Sequence, residues 1–147
     1  MRFVAFLRGI NVGGNVIFES TLKDSRKAAQ KIEATLEKRY KRAIRAIVRP
    51  MHDIEMLAKA DPFKGIPVTK ETRLYVTFLD KKPAKHLKTT GEFFRVVKTC
   101  PFAVCSVLIL TPDRGTLDLM DSLGKHYGKD VTTRNWNTVQ KILKAAI

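Results

Sequence analysis

Apolar and polar positions switch between two periods along this chain. Phe3–Leu7 is a short apolar run between Arg2 and Arg8, the pattern of a buried strand, and it opens into the glycine-rich RGINVGGN. Val16–Phe18 predicts a second strand. From Ser25 to about Tyr40 the apolar residues Ala29, Ile32, Leu36 and Tyr40 fall on one face of a helix, with Lys27, Lys31, Lys38 and Arg42 on another. Ile44–Val48 predicts a third strand. Pro50 then suits the first position of a helix that buries Ile54, Leu57 and Ala58 and ends near Asp61-Pro62.

The second half repeats the alternation. Residues 64–69, within KGIPVTKE, combine Gly, Pro and charge and form the expected linker. Leu74–Leu79 predicts a strong strand, and Pro83 opens a short helix. Strands follow near Phe93–Val97 and Val104–Leu110, then a TPDRG turn. A helix places Leu117, Met120, Leu123 and Tyr127 inward, and a last one carries Trp136, Val139, Leu143 and Ala146 at helical spacing. Strands come partly in pairs with short connections, which favours an α+β arrangement over a doubly wound parallel sheet. The expected division is 1–63 and 70–147, two sheet-plus-helix units.

Composition adds one outlier. Apolar residues make up 44% of the 147, enough for a core that needs neither metal nor disulfide. The 28 Lys+Arg against 14 Asp+Glu give a formal net charge of +14, a field that draws in polyanions. Cys100 and Cys105, in CPFAVC, fit neither a CxxC redox pattern nor a zinc site, and read as buried thiols. The apolar run near the N-terminus is too short for a signal-peptide core, and Phe102–Leu110 is too short to span a bilayer. The expectation is a soluble, cytoplasmic protein with no membrane partner, no metal and no cofactor.

Two segments, LRGINVGG (Leu7–Gly14) and TTRNWNTV (Thr132–Val139), resemble the signatures of the uncharacterised bacterial domain-of-unknown-function family "sixteen ninety-seven". GNVIFES, RLYVTFLD and the DPF at Asp61–Phe63 match its pattern in order. The resemblance implies two ferredoxin-like (α-β plait) units and no established activity. In the family a helix and a strand intervene between INVGG and GNVIFES, and here the two are adjacent. The first unit is therefore expected to be truncated, lacking an edge strand and a covering helix. Phe3–Leu7 and Val16–Phe18 should then pair as a hairpin through Gly13-Gly14. The apolar surface so exposed implies either a homodimer through this sheet or its packing against the 70–147 unit.

Three features carry candidate chemistry. In Gly9–Gly14 the glycines can turn N–H groups inward as an anion nest, with Arg8, Asn11, Gly13 and Gly14 as ligand-binding candidates. A tight turn needing positive φ explains the same glycines equally well. Near the end, Thr132 or Thr133 is expected to cap the last helix, putting Arg134 in its first turn. A cation there opposes the helix dipole and calls for an anion, with Thr133, Asn135 and Asn137 beside it. Lys23–Arg49 holds ten Lys/Arg and three Asp/Glu, a net +7 suited to phosphate contact without base reading. His52, His86 and His126 are isolated, and no GxSxG or HExxH occurs. The leading expectation is a non-catalytic anion-binding module for nucleic acid or a phosphorylated ligand. The alternative is an enzyme on a small phosphorylated or acidic substrate, using Arg8, Asn11, Arg134 and Asn137.

Overall fold

The computed structural model describes residues 2–9, 12–21, 24–83, 85, 94–111, 117–128 and 131–145. The chain is α+β and falls into two compact units, Met1–Ala60 with Gln140–Ile147, and Asp61–Val139. Each is built on its own antiparallel sheet.

In the first unit, β1 (Arg2–Gly9), β2 (Val12–Glu19) and β3 (Arg45–Pro50) form a sheet of order β2-β1-β3. β1 is central and fully buried over Phe3–Phe6, which is why FVAF reads as a continuous apolar run rather than an alternation. One face presents Phe3, Ala5, Ala46 and Val48 to Ala28 and Ala29 of α1 (Ser25–Tyr40), with Leu7, Phe18 and Ile32 half-buried around them. The other carries Val4, Phe6 and Ile47, all buried. Burying a phenylalanine this completely stabilises the fold by roughly 1.5–3 kcal/mol.

Both helices of this unit start and stop for visible reasons. Asp24 caps α1, its carboxylate accepting from the N–H groups of Arg26 (2.9 Å) and Lys27 (3.3 Å). Lys41 closes it in the left-handed region at φ 55°. Of the expected α1 face, Ala29 is buried, Ile32 and Leu36 are half-buried, and Tyr40 is exposed, joined by a buried Ala28. Pro50 ends β3 and caps α2 (Met51–Lys59) instead of occupying its first turn, and Arg49 pairs with Asp53 across the junction. α2 contacts β1 and β3 and buries Met51, Ile54 and Leu57, with Ala58 only half-buried.

In the second unit, β4 (Thr72–Leu79), β5 (Phe94–Cys100), β6 (Ala103–Ile109) and β7 (Val131–Asn135) lie in the order β5-β6-β4-β7. Numbered within the unit this is 2-3-1-4 with every neighbour antiparallel, the order of a ferredoxin-like plait. Leu79, Val104, Leu108 and Val131 pack with Leu123 of α3 (Leu117–Tyr127), and Tyr75, Phe94 and Tyr127 lie half-buried against them. The expected helix after Pro83, the TPDRG turn beyond Thr111, and Phe93 fall largely or wholly outside the described residues.

The structure corrects the hairpin and the last helix. β1 and β2 do pair, but Gly13 faces Arg8 and Gly14 faces Leu7 inside the ladder. The connection is therefore at positions 10–11, outside the described residues, and not at Gly13-Gly14. Thr132–Asn135 is strand, not helix start: β-branched Val131, Thr132 and Thr133 favour extended backbone, and β4 offers them a ladder. α4 (Trp136–Ala145) begins only afterwards and buries Val139 and Ile142, leaving Leu143 half-buried. No helix among the described residues is long and apolar enough to cross a membrane.

Candidate functional site

The expected site residues distribute over both units. Arg8, exposed on β1, stands directly opposite Arg45 on β3, while Gly13 and Gly14 lie in β2 and Asn11 lies outside the described residues. In the second unit, Thr133 is tied by a 2.8 Å hydroxyl–hydroxyl hydrogen bond to Thr77. Arg134 belongs to β7 and not to a helical turn, so it opposes no helix dipole from within. Its guanidinium donates to the Thr132 hydroxyl (2.6 Å) and the Thr133 carbonyl (3.1 Å). Asn135 is the cap of α4 in place of Thr132 or Thr133, accepting from the Thr138 N–H at 2.8 Å. Asn137 is exposed on α4. Trp136 makes an edge-on contact with Phe63 at 5.3 Å, in keeping with a packing role.

A different cluster lines a cavity of the second unit. β4 ends at Leu79, which pairs with Val131, the first residue of β7. The segment Asp80-Lys81-Lys82-Pro83, with Lys85, then lines an opening of about 410 Å³ together with Leu79, His126, Tyr127, Gly128 and Val131. α3 ends here through Gly128, whose φ of +89° is cheap only for glycine and whose N–H bonds to the Gly124 carbonyl at 2.9 Å. Lys125 lies in the last turn, where a cation suits the negative end of the helix. The His126 ring stands 2.7 Å from the Lys85 carbonyl, with Nε2 as donor, and edge-on to Tyr127 at 4.6 Å. That hydrogen bond ties the exit of β4 to the end of α3.

Among the described residues its charged lining is Lys81, Lys82 and Lys85 with Asp80. Lysine supplies compact, mobile point charge and not a fixed bidentate fork, which suits phosphate more than a shaped carboxylate. Local sequence pattern does not single out this opening. DKKPAK was visible as three lysines in five residues at a strand exit, but only the fold brings His126 to it.

The thiols are structural. Cys105 is buried, and burial first, then Cys100 nearby, push its pKa up to about 12, with Lys98 pulling back. Cys100 is half-buried, and its Sγ donates to the Ala103 carbonyl at 3.4 Å. Burial also raises the Tyr75 phenol, against the pull of Arg73. Phe78 is buried, and Tyr75 and Phe94 are half-buried, so these aromatics pack instead of offering stacking platforms. Among the described residues no three His, Cys, Asp or Glu come together to hold a metal.

The two antiparallel sheets with their helices define the class, an α+β protein of plait-like units. The chain belongs to the family described as Protein of unknown function (DUF1697), which matches residues 13–99. GNVIFES, DPF and RLYVTFLD lie inside that match, and TTRNWNTV lies beyond it. No curated protein matches the chain. No solved structure matches it either.

Proposed function

We propose that this protein is a non-catalytic anion-binding module whose ligand carries phosphate, either a small phosphorylated molecule or nucleic acid. The observation that supports it best is the opening lined by Lys81, Lys82 and Lys85 at the junction of β4 and α3. Its volume falls within the usual range for small-ligand sites, and its lining is cationic in a chain of net charge +14. The exposed cations of α1 add a second, open basic surface on the first unit.

Backbone-amide NMR titrations with pyrophosphate, a nucleoside triphosphate and a short oligonucleotide, at about 50 and 200 mM salt, test the reading. A small phosphorylated ligand perturbs the pocket alone; an oligonucleotide spreads the response to α1. Replacing Lys81, Lys82 and Lys85 together by Gln weakens small-ligand binding about tenfold or more, while these exposed positions leave the fold intact. If no phosphate probe binds at the lower salt, the reading is wrong.

A further inference from the structure

We propose that the ligand of the lysine-lined opening is a phosphomonoester with an apolar body, its phosphate at the rim and its body on the floor. The proposal rests on the phosphate-binding reading of the same opening and adds what the rest of the ligand is.

Depth is the first argument. Lys81, Lys82 and Lys85 are exposed, so the positive charge stands at the mouth. Leu79 and Val131 are buried, at 2% and 9% exposure, and face each other across the β4–β7 ladder. Both belong to the core cluster that includes Leu123 of α3, with Tyr127 half-buried against it. This floor is therefore a fixed part of the core, and the half-buried Pro83 adds to its apolar wall. Lysines at the mouth and an apolar surface beneath suit an amphipathic anion entering body first.

Size is the second argument. A bare phosphate has the bulk of a few waters, each occupying about 30 Å³ of liquid, against an opening of about 410 Å³. Phosphate alone would leave most of that space wet and the floor uncovered.

The hydrogen-bonding inventory selects the body. Besides the lysines, the described lining offers polar side-chain groups on Asp80, His126 and Tyr127. His126 already commits Nε2 to the Lys85 carbonyl at 2.7 Å. A sugar or polyol body would bring several hydroxyls to this floor, and each one buried without a partner counts against binding. An aromatic or alkyl body needs no hydrogen bonds and gains by covering Leu79, Val131 and the Tyr127 ring.

The probes are inorganic phosphate, glycerol phosphate, phenyl phosphate, hexyl phosphate and neutral phenol, titrated calorimetrically and by NMR at about 50 mM salt. We expect phenyl and hexyl phosphate to bind about tenfold more tightly than glycerol phosphate, through the apolar surface they cover. Either order between those two supports the proposal, and the order tells an aromatic body from an aliphatic one. Intermolecular NOEs should run from the body of the tighter ligand to Leu79, Tyr127 and Val131. Equal affinity of all the phosphates, or tightest binding of glycerol phosphate, overturns the proposal and leaves phosphate binding standing. Phenol binding as tightly as phenyl phosphate also overturns it, since the phosphate then contributes nothing. If none of the phosphates binds, the reading beneath the proposal fails and the proposal with it.

Discussion

β2 and β6 hold equivalent places in their sheets and meet different fates. β6 is buried from Ala103 to Leu108 because β5 flanks it, while β2 keeps Val16 in solvent. The other edges are each blunted. β3 carries Arg45, Arg49 and Pro50; β5 carries Arg95 and Lys98 with a register shift between Val96 and Lys98; β7 is five residues long and bears Arg134. Charge, proline, bulges and shortness all discourage unwanted pairing. β2 has none of them except Glu19 at its end, and pairs regularly over eight residues. Among the described residues β2 therefore differs locally from the other edge strands, and the difference is not a general looseness of the fold.

The largest test of this contrast is in the strand centres, where the two sheets should behave alike. Phe6→Ala and Phe78→Ala each remove a side chain with no exposure, and each should cost roughly 3–5 kcal/mol. Hydrogen exchange reads this sheet by sheet; a small loss for Phe6→Ala would mean that the three-stranded sheet is only loosely assembled. Alkaline pH should then separate them. The Cys105 thiol stays protonated to about 12 in the fold but ionises near its ordinary 9.0 when unfolded. Its stabilisation is complete below pH 9 and falls as pH rises, by about 1.4 kcal/mol at pH 10, in the four-stranded sheet only. Urea melts at pH 8 and 10, with Cys105→Ala removing that share of the slope, measure it.

A smaller gain is expected within β6. The Ser106 hydroxyl is buried without a hydrogen-bond partner among the described residues, so Ser106→Ala should stabilise by about 1 kcal/mol in chemical denaturation. Least of all, Val16→Lys on the β2 edge should change stability by under about 0.5 kcal/mol. The matching change Val104→Lys in β6 should be ruinous, since that residue is fully buried. Similar costs for the two lysines would erase the distinction between the edges.

α1, α2, α3 and most of the described strands could be read from spacing alone, because Ala29, Ile32 and Leu36, or Leu74–Leu79, carry strong local periods. β7 could not. Its Thr132-Thr133-Arg134 looks equally like a capped helix start, and only the ladder to β4 decides for strand. The glycine pair misled in a similar way: Gly13-Gly14 has the composition of a turn, yet β1 holds it in register as strand. The lysine-lined opening was half visible. Three lysines near Pro83 are in the sequence, but His126 arrives from more than forty residues away, a separation that no local pattern encodes.

The β1–β2 ladder also sets a timetable. Gly9 pairs with Val12, so this ladder joins residues close in sequence, a local event of the microsecond class. β4 must wait for β7, whose Thr133 lies far along the chain from Thr77. The two sheets therefore assemble on different clocks, the β1–β2 ladder from neighbours in sequence and the β4–β7 ladder only across a long separation.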